Sequence, residues 1–264
     1  RAFYGCENLT EVYLVADLTE VSFAIFNECT ALKKATIGGF DEVATYMFQD
    51  CTNLETVILE EGITSIESSA FSDCTNLKNI TLPNTLETLG SGAFGRCTSL
   101  VEITIPEGVK SIGGSAFEGC SSLTTLILPS SVESIGYAAF AYNTSLTRIR
   151  FLGNAPTFSD TTIAFSDVVA KVFYPPDNAT WTEDVMLNYG GTLTWMPYDP
   201  DEFNAAVTPD TPDTPDAPAG EPTIVTNPVT GKAYKFGMIQ GNVSATDVYY
   251  LIGGMNGYYM ATTE

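Results

Sequence analysis

The stretch SAFSDCTNLKNITLP, residues 69–83, sets a cysteine between an Ala-Phe pair and a short run of β type. Read alone, that thiol invites metal or redox chemistry. The stretch is one of a series, however. Aligned on phenylalanine, the chain reads Phe3, Phe26, Phe48, Phe71, Phe94, Phe117 and Phe140, at intervals of 23, 22, 23, 23, 23 and 23 residues. Three residues after each come Cys6, Cys29, Cys51, Cys74, Cys97, Cys120 and then Asn143. Three further on stands a leucine every time, from Leu9 to Leu146. A period of this length marks a repeat architecture, so the cysteine belongs first to a scaffold.

The spacing within one unit dictates its shape. LKNITLP, LVEITIP and LTTLILP place Ile80 and Leu82, Ile103 and Ile105, and Leu126 and Leu128 two residues apart, as in a strand with one buried face. Pro83, Pro106 and Pro129 lack an N–H and end each strand. Gly62, Thr85, Gly108 and Ser131 follow at the turn. The segment VKSIGGSAFEGC then returns Val109, Ile112, Ala116 and Phe117 to the core at mixed three- and four-residue spacing, which predicts a 3₁₀ or one-turn helix. One unit cannot bury its own apolar face, so the units stack strand beside strand. At about 4.8 Å per rung, seven or eight coils make a rod roughly 35 Å long.

The Ala-Phe-x-x-Cys-x-x-Leu-x-x-Ile-x-Ile-Pro pattern over residues 1–152 resembles the BspA-like bacterial leucine-rich repeats. It lacks the asparagine that follows the strand in better-known leucine-rich repeats. The resemblance implies a cell-surface or secreted binding protein. The expected fold is an α/β repeat solenoid, a right-handed leucine-rich-repeat-type coil. It would carry a parallel sheet on one face, short helical or 3₁₀ turns on the other, and a small β segment at the C-terminus.

Domain boundaries follow from where the period fails. Residues 1–152 form the solenoid, and RAFYGC opens inside a repeat, so the natural N-terminus is expected upstream. Residues 153–198 keep one more Ala-Phe pair and add Trp181, Tyr189, Trp195 and Tyr198. Bulky rings suit a cap over the apolar end of the stack. A glycan stacking on Trp181 and Trp195 is the sharper alternative. Residues 199–222 contain TPDTPDTPDAPAGEP, a linker with seven acids and no base. Residues 223–264 read as three strands in KAYKFGMIQG, DVYYLIGG and GYYMATTE, part of a further β-domain. Tyr249 and Tyr258 there could face a sugar, or simply pack across strands.

Composition narrows the function. The chain has 264 residues, 32 acidic and 11 basic, no histidine, and a net charge of −21. Nucleic acid and an anionic membrane surface each need a positive face, so this charge argues against both as partners. No apolar run is long enough to span a membrane. Without histidine, Ser-His-Asp and Cys-His catalysis and histidine-ligated metals are unavailable.

The remaining candidates for chemistry are weak. GSGAFG, residues 90–95, matches a dinucleotide-binding glycine pattern but falls in a turn that sister coils write ESSAFS and GGSAFE. The carboxylates, such as Glu60, Glu61 and Asp73, are scattered through turns. Six cysteines at the repeat period form a ladder that converges on no metal. Disulfides between rungs would have to pull Cβ atoms from about 4.8 Å to about 3.8 Å. Buried free thiols fit best, and Asn143 in the seventh copy points to a size requirement. No catalytic residue, cofactor or metal is expected.

The surface left for function is the outer face of the sheet. One row is Glu11, Lys34, Thr56, Asn79, Glu102, Thr125 and Arg148; the next is Tyr13, Thr36, Ile58, Thr81, Thr104, Ile127 and Arg150. Threonine and isoleucine also suit exposed strands for packing reasons alone. The expectation is a non-catalytic extracellular or cell-surface module that binds a protein ligand here, with Arg148 and Arg150 as an anionic contact. Glycan binding and a structural spacer are the alternatives.

Overall fold

The computed structural model describes residues 2–15, 23–199 and 203, and the backbone of four tail strands. The chain divides into two compact units, Arg1–Val207 and Thr208–Glu264.

The first unit is a stack of coils carrying two parallel ladders. In chain order its strands are β1 (Glu11–Val15), β2 (Lys34–Gly38), β3 (Glu42–Val43), β4 (Thr56–Leu59), β5 (Ser65–Ile66), β6 (Asn79–Thr81) and β7 (Thr88–Leu89). They continue with β8 (Ser111–Ile112), β9 (Thr125–Leu128), β10 (Ser134–Ile135), β11 (Arg148–Phe151), β12 (Thr157–Phe158), β13 (Val169–Tyr174) and β14 (Thr192–Pro197). The long strands form the expected sheet in two pieces, β1-β2-β4-β6 and β9-β11-β13-β14. Between the pieces, residues 101–106 hold their place without joining either ladder. Ile103 and Ile105 are still buried there, so apolar burial rather than ladder bonding seats this rung.

The short strands form a second sheet, β3-β5-β7-β8-β10-β12, where the sequence predicts helical turns. That expectation is corrected: no helix occurs among residues 23–199. The reason lies in the peptide planes around each phenylalanine. Residues two before and two after it adopt positive φ, as at Ser69 (55°) and Asp73 (60°), or Ser115 (55°) and Gly119 (70°). This alternation turns every second N–H out of the coil. In coil after coil those N–H groups donate to the next coil: Ser69 to Ser91 O, Phe71 to Ala93 O and Asp73 to Gly95 O. The intervening ones close three-residue turns, Ala70 to Glu67 O and Ser72 to Ser69 O. A helix would spend the same donors within its own coil and leave the stack unbonded.

The core is a set of columns. Eight phenylalanines, Phe3 to Phe165, stack with ring centroids 5.3 to 5.6 Å apart and nearly parallel planes. The cysteines beside them are free. Each buried thiol donates to the carbonyl of the preceding coil's phenylalanine: Cys29 to Phe3, Cys51 to Phe26, Cys74 to Phe48, Cys97 to Phe71 and Cys120 to Phe94, at 3.0 to 3.2 Å. The column therefore asks for a donor as well as a size. Asn143, fully buried at the seventh position, fits the size but makes no such bond, since its Nδ2 and Oδ1 both lack a partner. Asn143→Cys is expected to raise stability by about 1–3 kcal/mol, the cost of a buried unsatisfied polar group. Urea denaturation reads it, and a lowered midpoint would refute the donor argument.

A glycine column, Gly90, Gly113 and Gly136, lets adjacent coils touch through bare backbone on the second sheet. A Cβ on Gly136 would lie 2.3 Å from Gly114 N and 2.6 Å from Gly113 C, so no side-chain motion relieves it. Gly136→Ala is expected to cost about 1–3 kcal/mol or more by overpacking. Gly95→Ala, whose nearest neighbour is 3.4 Å away, is expected to be much milder in the same thermal melt.

At the C-terminal end the aromatics close the stack. Trp181, 6% exposed, lies 4.7 Å from Phe151 between ring centroids and donates Nε1–H to Gly153 O. Trp195 lies against both rings and donates to Leu187 O. Tyr189 packs on Phe158 and Phe165 and donates its hydroxyl to Val185 O.

The second unit holds an antiparallel sheet of β15 (Thr223–Thr226), β16 (Ala233–Gly237), β17 (Tyr250–Gly254) and β18 (Gly257–Thr263), in the order β15-β16-β18-β17. The sequence predicts three of these strands and misses β15.

Candidate ligand-binding face

Strand register decides which outward side chains are neighbours. Glu11, Lys34, Thr56 and Asn79 stand in one row of the N-terminal sheet, and Tyr13, Thr36, Ile58 and Thr81 in the next. In the C-terminal sheet the rows are Thr125, Arg148, Lys171 and Thr194, then Ile127, Arg150, Phe173 and Met196. Glu102 and Thr104 lie between the sheets, exposed and outside either ladder. Tyr13 is the most open apolar side chain of these rows, at 79%.

Four cations of the rod are each paired with a carboxylate one coil back. Lys34 pairs with Glu11, Lys78 with Glu55, Arg96 with Asp73 and Lys110 with Glu87, each partner lying in the preceding coil. The Arg96 guanidinium, hydrogen-bonded to Asp73, holds that carboxyl below its ordinary range.

Arg148 breaks this pattern. Its neighbour in the preceding coil is Thr125, and no carboxylate among the described residues pairs with it. Burial lowers its pKa, as expected of a guanidinium partly stripped of water with no anion beside it. Register brings Lys171, from the irregular stretch beyond the repeats, next to it. The sequence reading names no role for Lys171, because the repeat period had already failed there.

Arg150 is placed differently from the expected open contact. Its guanidinium carbon lies 3.4 Å from the centre of the Tyr198 ring and 5.4 Å from that of Phe203. Phe203 is itself buried, edge-on to Phe173 at 5.2 Å. Residues 198 and 203 therefore fold back over the sheet and occupy the Arg150 guanidinium by cation–π contact. Beside them Arg148, Lys171, Val169, Thr147, Thr192 and Thr194 line an open cleft of about 320 Å³.

The other candidates separate clearly. Trp181 is buried against Phe151, and Trp195, partly exposed, packs on both rings. Tyr249 lies outside the described residues. Tyr258 sits on β18 opposite Gly253, and its side chain lies outside what the structure describes. Among the described residues no cluster of histidine, cysteine or carboxylate could hold a metal ion. The GSGAFG segment is a turn of the stack, with Gly92 N–H donating to Gly114 O rather than opening a helix.

Comparison with known proteins fits this architecture. The BspA type leucine rich repeat region matches in six copies, over residues 1–82 and 64–188. A leucine-rich repeat protein of T. pallidum superposes with a TM-score of 0.50 at 24% identity, over 67% of this chain and 80% of that one. The pneumococcal vaccine antigen PcpA superposes with a TM-score of 0.51 at 22% identity, over 72% of this chain and 56% of that one. These likenesses carry the fold. Among the curated proteins, none matches the chain. With the repeat match spanning well over half its length, the chain belongs to the BspA-type leucine-rich repeat family.

Proposed function

We propose that this chain is a non-catalytic binding module, extracellular or at the cell surface, that presents the outer face of its long sheet to a protein ligand. The observation that carries the reading is the contrast between the columns. Inside, phenylalanine and leucine recur in all seven repeats and cysteine in six of them. Outside, in-register neighbours run from Glu11 to Lys34, Thr56 and Asn79, and from Tyr13 to Thr36, Ile58 and Thr81. A rigid face whose side chains differ rung by rung is what a solenoid offers a partner. Leucine-rich repeat relatives are generally binding modules, and PcpA, a vaccine antigen, shares the fold. A glycan reading draws less support, since Trp181 is buried and Trp195 packs against it and Phe151.

The test is a binding screen against extracellular proteins, followed by mapping of any ligand of measured affinity. Ile58→Arg with Asn79→Arg is expected to weaken such a ligand at least tenfold. Tyr142→Ala with Glu118→Ala, on the opposite turn side, is expected to leave it unchanged. The reverse ranking would move the site off the sheet.

A further inference from the structure

The outward row of the C-terminal sheet continues past the residues that the chain covers itself. From Phe173 and Arg150 the next position in register is Ile127, which is 39% exposed. One coil back lies Thr104, on the rung of residues 101–106 that joins neither ladder. There the face opens into a slot of about 360 Å³. Ile103, Ile105 and Pro106 line it from one coil, and Pro129 and Leu152 from the two that follow. Where a ladder is intact, the inward pair of a rung is closed off, as at Val57 and Leu59 or Leu126 and Leu128. Ahead of the break the corresponding pair, Ile80 and Leu82, is half-buried, so the interruption lets solvent reach core side chains. The polar groups at the rim are mostly spent. Glu107 accepts from the Ser130 N–H and hydroxyl, and the Asn84 amide donates to Glu61. Glu102 is the exception: it is exposed on the same face, two residues before Thr104, and no cation among the described residues pairs with it.

We propose that this slot receives an aromatic side chain of a partner protein, carried on an extended segment with a Lys or Arg two residues away. The inference rests on the reading of the sheet face as a protein-binding surface and names one anchor in it. Continuity with a contact the chain already makes identifies the occupant. Two rungs along from Ile127, Phe203 covers Phe173 edge-on at 5.2 Å, and Phe173 is fully buried at an outward position. Between them Tyr198 lies on Arg150. The row therefore takes aromatic rings, and its open part begins at Ile127. An apolar lining favours an uncharged side chain, and a buried aromatic anchor carries much of the energy of an interface. The volume is at the small end for binding cavities and fits one such side chain rather than a folded element. Charge supplies the second contact. Glu102 and Thr104 lie about 6–7 Å apart along the strand, the span of two residues in an extended peptide. A chain of net charge −21 draws a cation toward that open carboxylate.

The experiment uses the full chain and a fluorescein-labelled nonapeptide of threonine and serine that carries one phenylalanine and, two residues before it, one lysine. Anisotropy reads binding. Comparators replace the phenylalanine by serine or the lysine by glutamate. The phenylalanine-lysine peptide is expected to bind at least tenfold more tightly than the serine comparator. Ile127→Lys and Thr104→Arg, both at exposed positions, are expected to weaken it at least tenfold. Glu102→Gln is expected to erase the preference for lysine over glutamate while keeping that for phenylalanine over serine. Tyr142→Ala with Glu118→Ala, on the turn side, is expected to change nothing, and equal thermal melts show that every variant is folded. The proposal is overturned if the chain does not distinguish the phenylalanine peptide from the serine one, or if Ile127→Lys and Thr104→Arg bind it as the unaltered chain does. If a protein ligand is lost on Ile58→Arg with Asn79→Arg but kept on Ile127→Lys, the slot assignment fails while the wider face stands.

Discussion

Raising the pH from 8 to 10 is expected to strip the solenoid of a large share of its stability. Burial pushes the thiols of Cys51, Cys74 and Cys97 well above their ordinary value near 9, and that of Cys120 up to about 12. Burial shifts Cys29 the same way. A folded-state pKa above the unfolded value means stability is complete below about 9 and drains away as pH rises toward the folded value. Each such thiol costs about 1.4 kcal/mol per pH unit in that window. Four of them acting together remove about 5–6 kcal/mol by pH 10, a large share of the stability of an ordinary domain. Tyr189, raised to about 12 by burial, adds to the loss once unfolded tyrosine begins to ionise above 10. Circular dichroism against pH, with urea midpoints at each step, measures the slope. Cys97→Ala is expected to flatten it by about a quarter. A chain equally stable at pH 8 and 10 would mean that the thiols ionise in place. The same burial predicts that native protein at pH 8 is alkylated at Cys6, the only cysteine partly open, while the other five react only after unfolding.

Phe94→Ala carries the largest single-residue effect. The ring is fully buried and stacked on both sides, 5.4 Å from Phe71 and 5.3 Å from Phe117. Truncating it leaves a cavity that the rigid columns cannot close, at about 3–5 kcal/mol. Phe3 offers the contrast, being 48% exposed and stacked on Phe26 alone. Phe3→Ala is expected to cost well under half as much. Because each coil touches only its neighbours, the Phe94 variant is also expected to melt in two steps. Hydrogen exchange would show the coils on either side of residue 94 losing protection first. A single sharp transition with a loss below about 1 kcal/mol would contradict the stacked-column account.

Much of this fold was legible because one period governs it. Once Phe, Cys and Leu recur every 22 or 23 residues, the stacking of parallel strands and the outward rows follow by counting rungs. What escaped the count is what the period cannot encode. The spacing of Val109, Ile112, Ala116 and Phe117 mimics a helix, but it arises from a two-residue strand followed by alternating φ signs. Only the hydrogen bonds from one coil to the next separate those possibilities. The thiol column was read as a matter of size, and its bond to a phenylalanine carbonyl appears only when two coils are superposed. On the outer face, the count could not show that Tyr198 and Phe203, which lie beyond the periodic region, pack over Arg150, nor that Lys171 stands in register with Arg148. Counting placed the rows; it could not say what folds back over them.

The one-way donation of the turn-side amides gives the rod a polarity. From Phe3 to Phe165 the N–H groups flanking and including each phenylalanine that bond between coils, such as those of Ser69, Phe71 and Asp73, donate toward the C-terminal end, whereas flanking groups such as Glu60, Glu67 and Gly90 donate backward to the coil before. Each coil inside the stack is therefore a keyed connector, its phenylalanine-side donors meeting acceptors of the coil after it and its flanking donors meeting acceptors of the coil before, so the backbone itself lets coils add in one direction only, whatever side chains the surface carries.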